Sequence, residues 1–238
     1  LVKYFIILSI LILITIKTYD EIQNKAKFNK FIQEISEKLN YQFEIYEVNN
    51  LHRVDQKEIS KIMNKYLDQS IFLIPLNKIS ESLKNIKWIK NVNISSNFKN
   101  KIKIEISEFK PIGLYFFNEQ FFYFTEKGKI IGKFSKNINE NFIIFYGNEA
   151  LNKADYFLKI LNKNQHPELL KIKEAYYVNE RRWNIRLENE ILVYLSEKNI
   201  EESFKNYIKI IDKLNDSEII LIKSIDLRDN EKAIISFK

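Results

Sequence analysis

Side chains able to do covalent or acid–base chemistry are sparse in this sequence. Cysteine is absent, which excludes thiol nucleophiles, disulfide staples and Cys-ligated zinc or iron–sulfur centres. The two histidines, His52 and His166, are far apart in the chain, so a His-rich metal site is unavailable and both read as loop residues. Serine and lysine are plentiful. Yet no stretch pairs a serine-nucleophile motif with a lysine general-base motif, and there is no glycine-rich phosphate loop and no H-E-x-x-H. Asp226 and Arg228 are the most tempting pair. Two residues apart on a strand they share a face, where a carboxylate and a guanidinium more often pair structurally. No catalytic, cofactor-binding or metal-ligating residue is assigned, and a non-enzymatic role is expected.

Composition agrees with that reading. A chain of 238 residues with 45% apolar content is long enough for a membrane anchor and one or two domains with cores of their own. The formal charge is +7, but lysine is scattered among glutamate and aspartate along the whole chain, and no nucleic-acid-binding signature accompanies it. Aromatic residues make up 14%, which together with abundant isoleucine favours a strand-rich fold.

The elements follow from periodicity. Tyr4 to Ile16 is an uninterrupted apolar run between Lys3 and Lys17, about 20 Å long as a helix against about 30 Å of hydrocarbon. Snorkelling of the two lysines lets a thin bilayer accept it, and KTYDEIQNKAKF, which follows, contains no small-residue cleavage site. An uncleaved anchor is therefore favoured over a signal peptide. Leu1 in place of Met points to an alternative start codon or a cytoplasmic extension upstream, and the lysine balance leaves orientation open. Phe28, Phe31, Ile32, Ile35 and Leu39 then repeat at helical spacing, predicting a juxtamembrane amphipathic helix.

Next comes a strand at Phe43, Ile45 and Val48, then a helix opened by Asp55 and Glu58 with Ile59, Ile62, Met63, Tyr66 and Leu67 as its stripe. A second helix follows Pro75, with Asn77 as its cap and Ile79, Leu83 and Ile86 on one face. Val92 and Ile94 mark a second strand, and Ile102, Ile104 and Ile106 alternate with charged residues in a third. Trp88 reads as the aromatic that seals the corner between helix and strand.

From Ile112 the sequence supplies IGLYFF, FFYF, KIIGKF and FIIFY, separated by turn-like residues, which predicts a meandering sheet. Ala154 to Leu161 reads as a helix and Pro167-Glu168 as the start of a short one. AYYV, WNIRL and ILVYL return to strand composition, with Asn189-Glu190 as a hairpin link. Ile200, Phe204, Tyr207, Ile208, Ile211 and Leu214 form one stripe of a covering helix. Two closing strands are expected, at Ile219 to Leu227 and Ala233 to Phe237. The second is expected to present a free edge.

Motifs at fixed places in this order carry a family resemblance over the whole chain. Lys87-Trp88-Ile89 ends the second helix, Glu108-Phe109-Lys110-Pro111 closes the alternating strand, Arg181-Arg182-Trp183-Asn184-Ile185-Arg186-Leu187 opens a hairpin, and Ile225-Asp226-Leu227-Arg228 precedes the last strand. The pattern resembles the FtsQ/DivIB family of bacterial division proteins. Departures are Lys87 where the family has Pro, Asn49 or Asn50 where it has Gly, Asp229 where it has an aromatic, and Glu231 or Lys232 where it has a small residue.

The resemblance implies an α+β chain: a transmembrane anchor at 1–19, a juxtamembrane helix at 20–40, a β-α-α-β-β POTRA domain at 41–109, and at 110–238 a β-rich domain of mainly antiparallel strands with covering helices. It implies a single-pass inner-membrane protein with a cytoplasmic N-terminus, its bulk in the periplasm at the division septum. It implies no cofactor, and as partners an FtsB-like and FtsL-like coiled-coil pair, with other division proteins reached through the POTRA domain. The partner contacts carried over are Arg181, Arg228, Asp229, Asn230, Glu231, Lys232, Ala233, Ile234 and Ile235. A second reading from the residues is an anchored POTRA module acting as a chaperone in envelope assembly.

Overall fold

Alternation of Ile102, Ile104 and Ile106 with charged residues does what its period demands: all three isoleucines are buried on one face of β3 (Lys101–Glu108). The computed structural model describes residues 15, 21, 23–134, 141–164, 166–229 and 231–238. It divides into two units, Leu1–Glu108 and Phe109–Lys238. The apolar run proposed as an anchor lies outside the described residues apart from Thr15, and among those described no helix is long and apolar enough to cross a membrane.

The first unit opens with helix α1 (residues 23–38). It continues through β1 (Ile45–Asn49), α2 (Gln56–Met63), α3 (Leu76–Lys84), β2 (Ile89–Ser96) and β3, the β-α-α-β-β order expected. The sheet order is β1-β3-β2, with β1 parallel and β2 antiparallel to β3. A parallel pair needs a long crossover, and the two helices supply it while burying Ile59, Met63, Ile79 and Leu83 against the sheet. Asn50, at φ 64°, provides the left-handed turn after β1.

Two local expectations are corrected. Asn77 does not cap α3; the cap position is Pro75, without a side-chain bond, and Pro75 O accepts the first helical bond from Ile79 N at 3.1 Å. The stripe begun by Ile59 and Met63 does not continue as α-helix, because the chain tightens into a 3-10 turn at Asn64–Tyr66.

The second unit is a nine-stranded sheet. Its strands are β4 (Gly113–Phe117), β5 (Gln120–Phe124), β6 (Ile130–Lys133), β7 (Ile144–Tyr146), β8 (Ile172–Val178), β9 (Arg182–Leu187), β10 (Leu192–Leu195), β11 (Ile222–Leu227) and β12 (Ile234–Phe237). The order across the sheet is β12-β11-β10-β9-β8-β7-β4-β5-β6. This is not a meander. β7 returns between β4 and β8, parallel to both, and β11 lies parallel to β10, so three parallel pairs interrupt an otherwise antiparallel ladder. FIIFY is continuously apolar rather than alternating, and within β7 Phe145 is fully buried while Ile144 and Tyr146 are half-buried.

The core can be followed along the register. Ile235, Ile225, Val193, Ile185, Ala175 and Phe145 are cross-strand partners from β12 to β7, and all but half-buried Ile235 are buried. On that face lie α4 (Ala150–Asn164) and α5 (Ile200–Ile211), whose Phe157 and Phe204 pack ring to ring at 5.7 Å while Phe157 meets Trp183 at 4.9 Å. The strand expected from Ile219 starts only at Ile222. Asn215 and Glu218 form a reciprocal capping box that opens a short helix, α6 (Asp216–Leu221), and Ile219 falls inside it.

Candidate functional site

β12 occupies the end of the nine-stranded sheet and pairs, among the described residues, with β11 alone. Its outer edge therefore carries backbone N–H and C=O groups from alternate residues with no strand to accept them. Side chains flank this edge on both faces. Ile234 projects onto the face away from α4 and α5, next to its partner Asp226, and is largely exposed. Phe237, two residues beyond half-buried Ile235, is also largely exposed, as are Ile220 and Leu221 on α6, whose backbone holds Lys238 through Leu221 O and Ile220 O. An apolar edge strand left this open is a template for a foreign chain.

The register fixes what lies beside Ile234. Asp226, Tyr194, Asn184, Tyr176 and Tyr146 follow it as successive cross-strand partners on the face without helices. Asp226 and Arg228 form the ion pair anticipated from their spacing: Arg228 Nε donates to both carboxylate oxygens at 2.9 Å, and Arg228 N donates to Asp226 Oδ1 at 3.0 Å. The Arg228 guanidinium holds the Asp226 carboxyl below its usual range, and the carboxylate in turn raises the guanidinium. Arg228 also lies 5.7 Å over the Tyr194 ring. The Arg228 side chain remains about half exposed, accessible to a competing carboxylate.

A shallow groove of about 780 Å³ runs past the start of β12, lined by Arg182, Glu197, Arg228, Asp229, Glu231 and Ile234 among others. The structure thus brings together Arg228, Asp229, Glu231, Lys232 and Ile234 from the residues singled out in the sequence. Arg181 does not line the groove; it sits after the left-handed pair Asn179 and Glu180 and contacts groove residue Glu197 through Nε at 3.6 Å. Ala233 and Ile235 lie outside this groove, Ala233 lining a smaller hollow beside α5. Asn230 lies outside the described residues.

Arg182 was not singled out in the sequence. It lines the groove, and its Nε is buried with no hydrogen-bond partner among the described residues. Phe237 was missed as well. The signal for Arg182 is the alternation of β9, where Arg182, Asn184 and Arg186 share the face opposite Trp183 and Ile185.

A second polar cluster lies further along that face. Tyr146 donates to Glu174 at 3.1 Å, Tyr176 donates to the other carboxylate oxygen, and Arg186 Nε stands 3.3 Å from it. The two tyrosine rings stack at 4.6 Å. Burial, then the Glu174 hydrogen bond, push the Tyr176 hydroxyl up to about 12, and burial with the charge of Glu174 also raises Tyr146. Neutral phenols donating to a paired carboxylate constitute a scaffold rather than an acid–base relay. Among the described residues no three His, Asp or Glu side chains stand together as a metal site. The histidines serve loops: His166 caps a 3-10 turn by accepting from Glu168 N, and His52 N donates to Glu108.

Comparison with known proteins accords with this architecture. A family model described as cell division protein FtsQ/DivIB, C-terminal, matches residues 116–228, and one described as POTRA domain, FtsQ-type, matches residues 44–109. The cell division protein FtsQ of Rickettsia typhi is 34% identical over 206 residues, covering 86% of this chain and 76% of that protein. FtsQ of Rickettsia bellii is 34% identical over 208 residues, 86% of this chain and 75% of its own. FtsQ of Coxiella burnetii is 20% identical over 190 residues, covering 78% and 75%. Among solved structures, the major extracytoplasmic domain of the division protein DivIB from Geobacillus stearothermophilus overlaps 46% of this chain and 99% of its own at 16% identity, with a TM-score of 0.32. With both domain patterns in order and a relative 34% identical across 86% of the chain, this protein belongs to the FtsQ/DivIB family of cell division proteins.

Proposed function

We propose that this chain is a non-enzymatic scaffold of the division machinery that captures an FtsB-like and FtsL-like coiled-coil pair by strand addition to β12. The segment 1–19 anchors it in the inner membrane, with the bulk in the periplasm at the septum. The supporting observation is the open edge of β12, flanked by exposed Ile234 and Phe237 and by the Arg228–Asp226 fork. Membership in a division family favours this over the envelope-chaperone reading. Main-chain bonds to the edge supply affinity, and Ile234 and Phe237 select the side chains that follow. Arg228, with Arg181 at the groove rim, takes a partner carboxylate, while Asp229 to Ile235 form the contact segment.

A four-residue edge offers a partner strand about three or four hydrogen bonds, each contributing roughly 1 kcal/mol net. Loss of the edge should therefore lower affinity by about two to three orders of magnitude. Deleting Ala233 to Lys238 should abolish capture of the coiled-coil pair in a pull-down by the extramembrane fragment. Capture unchanged by the deletion would refute strand addition.

A further inference from the structure

Helix α1 is amphipathic, and hydrogen bonds tie its polar side to the rest of the first unit. Gln33 Nε2 donates to Asp68 O at 3.0 Å, Ser70 N donates to Gln33 Oε1 at 2.7 Å, and the buried Ser36 and Ser70 hydroxyls lie 2.6 Å apart. These residues occupy one face. On the neighbouring face Phe28, Phe31, Ile35 and, one turn on, Leu39 are exposed by 60, 55, 37 and 60%. Their spacing makes a continuous apolar stripe about 17 Å long, a patch that marks an interaction surface.

Three observations identify what covers the stripe. The apolar run Tyr4 to Ile16 ends at Lys17, and only 11 positions separate Lys17 from Phe28. That length holds Phe28 within about 40 Å of the end of the run even if fully extended, and within about 17 Å if helical. Lys25, Lys27 and Lys30 are exposed, and no Asp or Glu occurs between residues 23 and 33, which complements an anionic headgroup layer. Finally, the stripe spans less than two heptads, against the three to four or more that a coiled coil sustains.

We propose that α1 lies along the membrane surface, with Phe28, Phe31, Ile35 and Leu39 in the boundary between headgroups and acyl chains and its lysines on anionic lipid. The proposal rests on the anchoring reading of segment 1–19. Its consequence is that the Gln33 and Ser36 hydrogen bonds pin the small α/β unit at the bilayer in one orientation.

The chain has no cysteine, so single-cysteine labelling is unambiguous. Full-length Phe31→Cys, Glu37→Cys and Leu11→Cys variants carrying an environment-sensitive fluorophore would be reconstituted into phosphatidylethanolamine–phosphatidylglycerol vesicles containing acyl-brominated lipid. Leu11→Cys reports the anchor, Phe31→Cys the apolar stripe, and Glu37→Cys, about 120° around the helix from Phe31, the side away from the stripe. Quenching of Leu11→Cys and Phe31→Cys but not Glu37→Cys is expected, with Phe31→Cys quenching reduced when phosphatidylcholine replaces phosphatidylglycerol. Quenched Leu11→Cys with Phe31→Cys no more quenched than Glu37→Cys would overturn the helix placement and leave the anchor standing. Unquenched Leu11→Cys would overturn both. Self-quenching of Phe31→Cys that disappears on dilution with unlabelled chain would assign the stripe to a second copy and overturn the proposal.

Discussion

Replacing Glu108 with alanine should unfold the first unit at a markedly lower temperature without touching the second. The Glu108 carboxylate, at the end of β3, accepts from three consecutive backbone amides of the loop before α2: His52 N at 2.9 Å, Arg53 N at 2.9 and 3.1 Å, and Val54 N at 3.1 Å. That one side chain ties the last strand to the entry of the first helix. In Glu108→Ala the exposed His52 amide finds water, while the amides of half-buried Arg53 and buried Val54 lose a charged acceptor in a place where water enters poorly. At roughly 1–2 kcal/mol for each of these two amides, the cost is about 2–4 kcal/mol. For a unit of this size that corresponds to about 10–20 °C in the melting midpoint. Glu108→Gln keeps one acceptor oxygen and should lose about half as much.

The two tryptophans make the assay specific, since Trp88 lies in the first unit and Trp183 in the second. With 5-fluorotryptophan, thermal melts followed by fluorine NMR should show the Trp88 resonance moving to lower temperature in Glu108→Ala while the Trp183 resonance melts unchanged. A Trp88 midpoint within about 2 °C of the parent chain would refute the reasoning.

Further expectations concern the second unit. Gly147 adopts φ +103°, and an added Cβ would stand 2.3 Å from Tyr177 O, so Gly147→Ala should destabilise this unit by about 2 kcal/mol or more, read from the Trp183 resonance. The Asp226 carboxyl is depressed on folding by Arg228, so its contribution is present above its unfolded value and is lost as pH falls through the folded one. Acid denaturation of Asp226→Asn should therefore be less steep below about pH 4 than that of the parent. The Tyr176 hydroxyl is raised to about 12, so its stabilising share holds below the ordinary phenol value and disappears as pH climbs through the folded one. Absorbance titration of phenolate formation should show a late step that loses one tyrosine's amplitude in Tyr176→Phe. Ile234→Asp combined with Phe237→Asp should weaken capture of the coiled-coil pair at least tenfold in an equilibrium binding assay while leaving the Trp183 melt within about 2 °C.

Much of the fold could be read from periodicity because burial and period coincide where one face is dry. Ile102, Ile104 and Ile106 define β3, and the Phe204–Tyr207–Ile211 stripe defines α5. What escaped were features set by neighbours distant in sequence. FIIFY gave a strand but not its place, since nothing local to residues 142–146 specifies insertion between β4 and β8. Ile219 looked like strand because it is β-branched, and the capping box of Asn215 and Glu218, visible four residues earlier, outweighed that propensity. The site was half legible. The Asp226–Arg228 pair followed from strand geometry, whereas Arg182 entered the groove because β9 alternation faces it there and turns Arg181 to the rim. Helix α1 was legible as amphipathic, but only the structure reveals that Gln33 and Ser36 on its polar side hydrogen-bond to the rest of the unit.

Hydrogen exchange measured amide by amide on the second unit, with and without the coiled-coil pair, tests strand addition most directly. Strand addition predicts strong new protection at outward-facing amides of Ile234 to Phe237, with β6 at the opposite edge unchanged. Saturated binding that leaves β12 amides exchanging as in the free chain would contradict it.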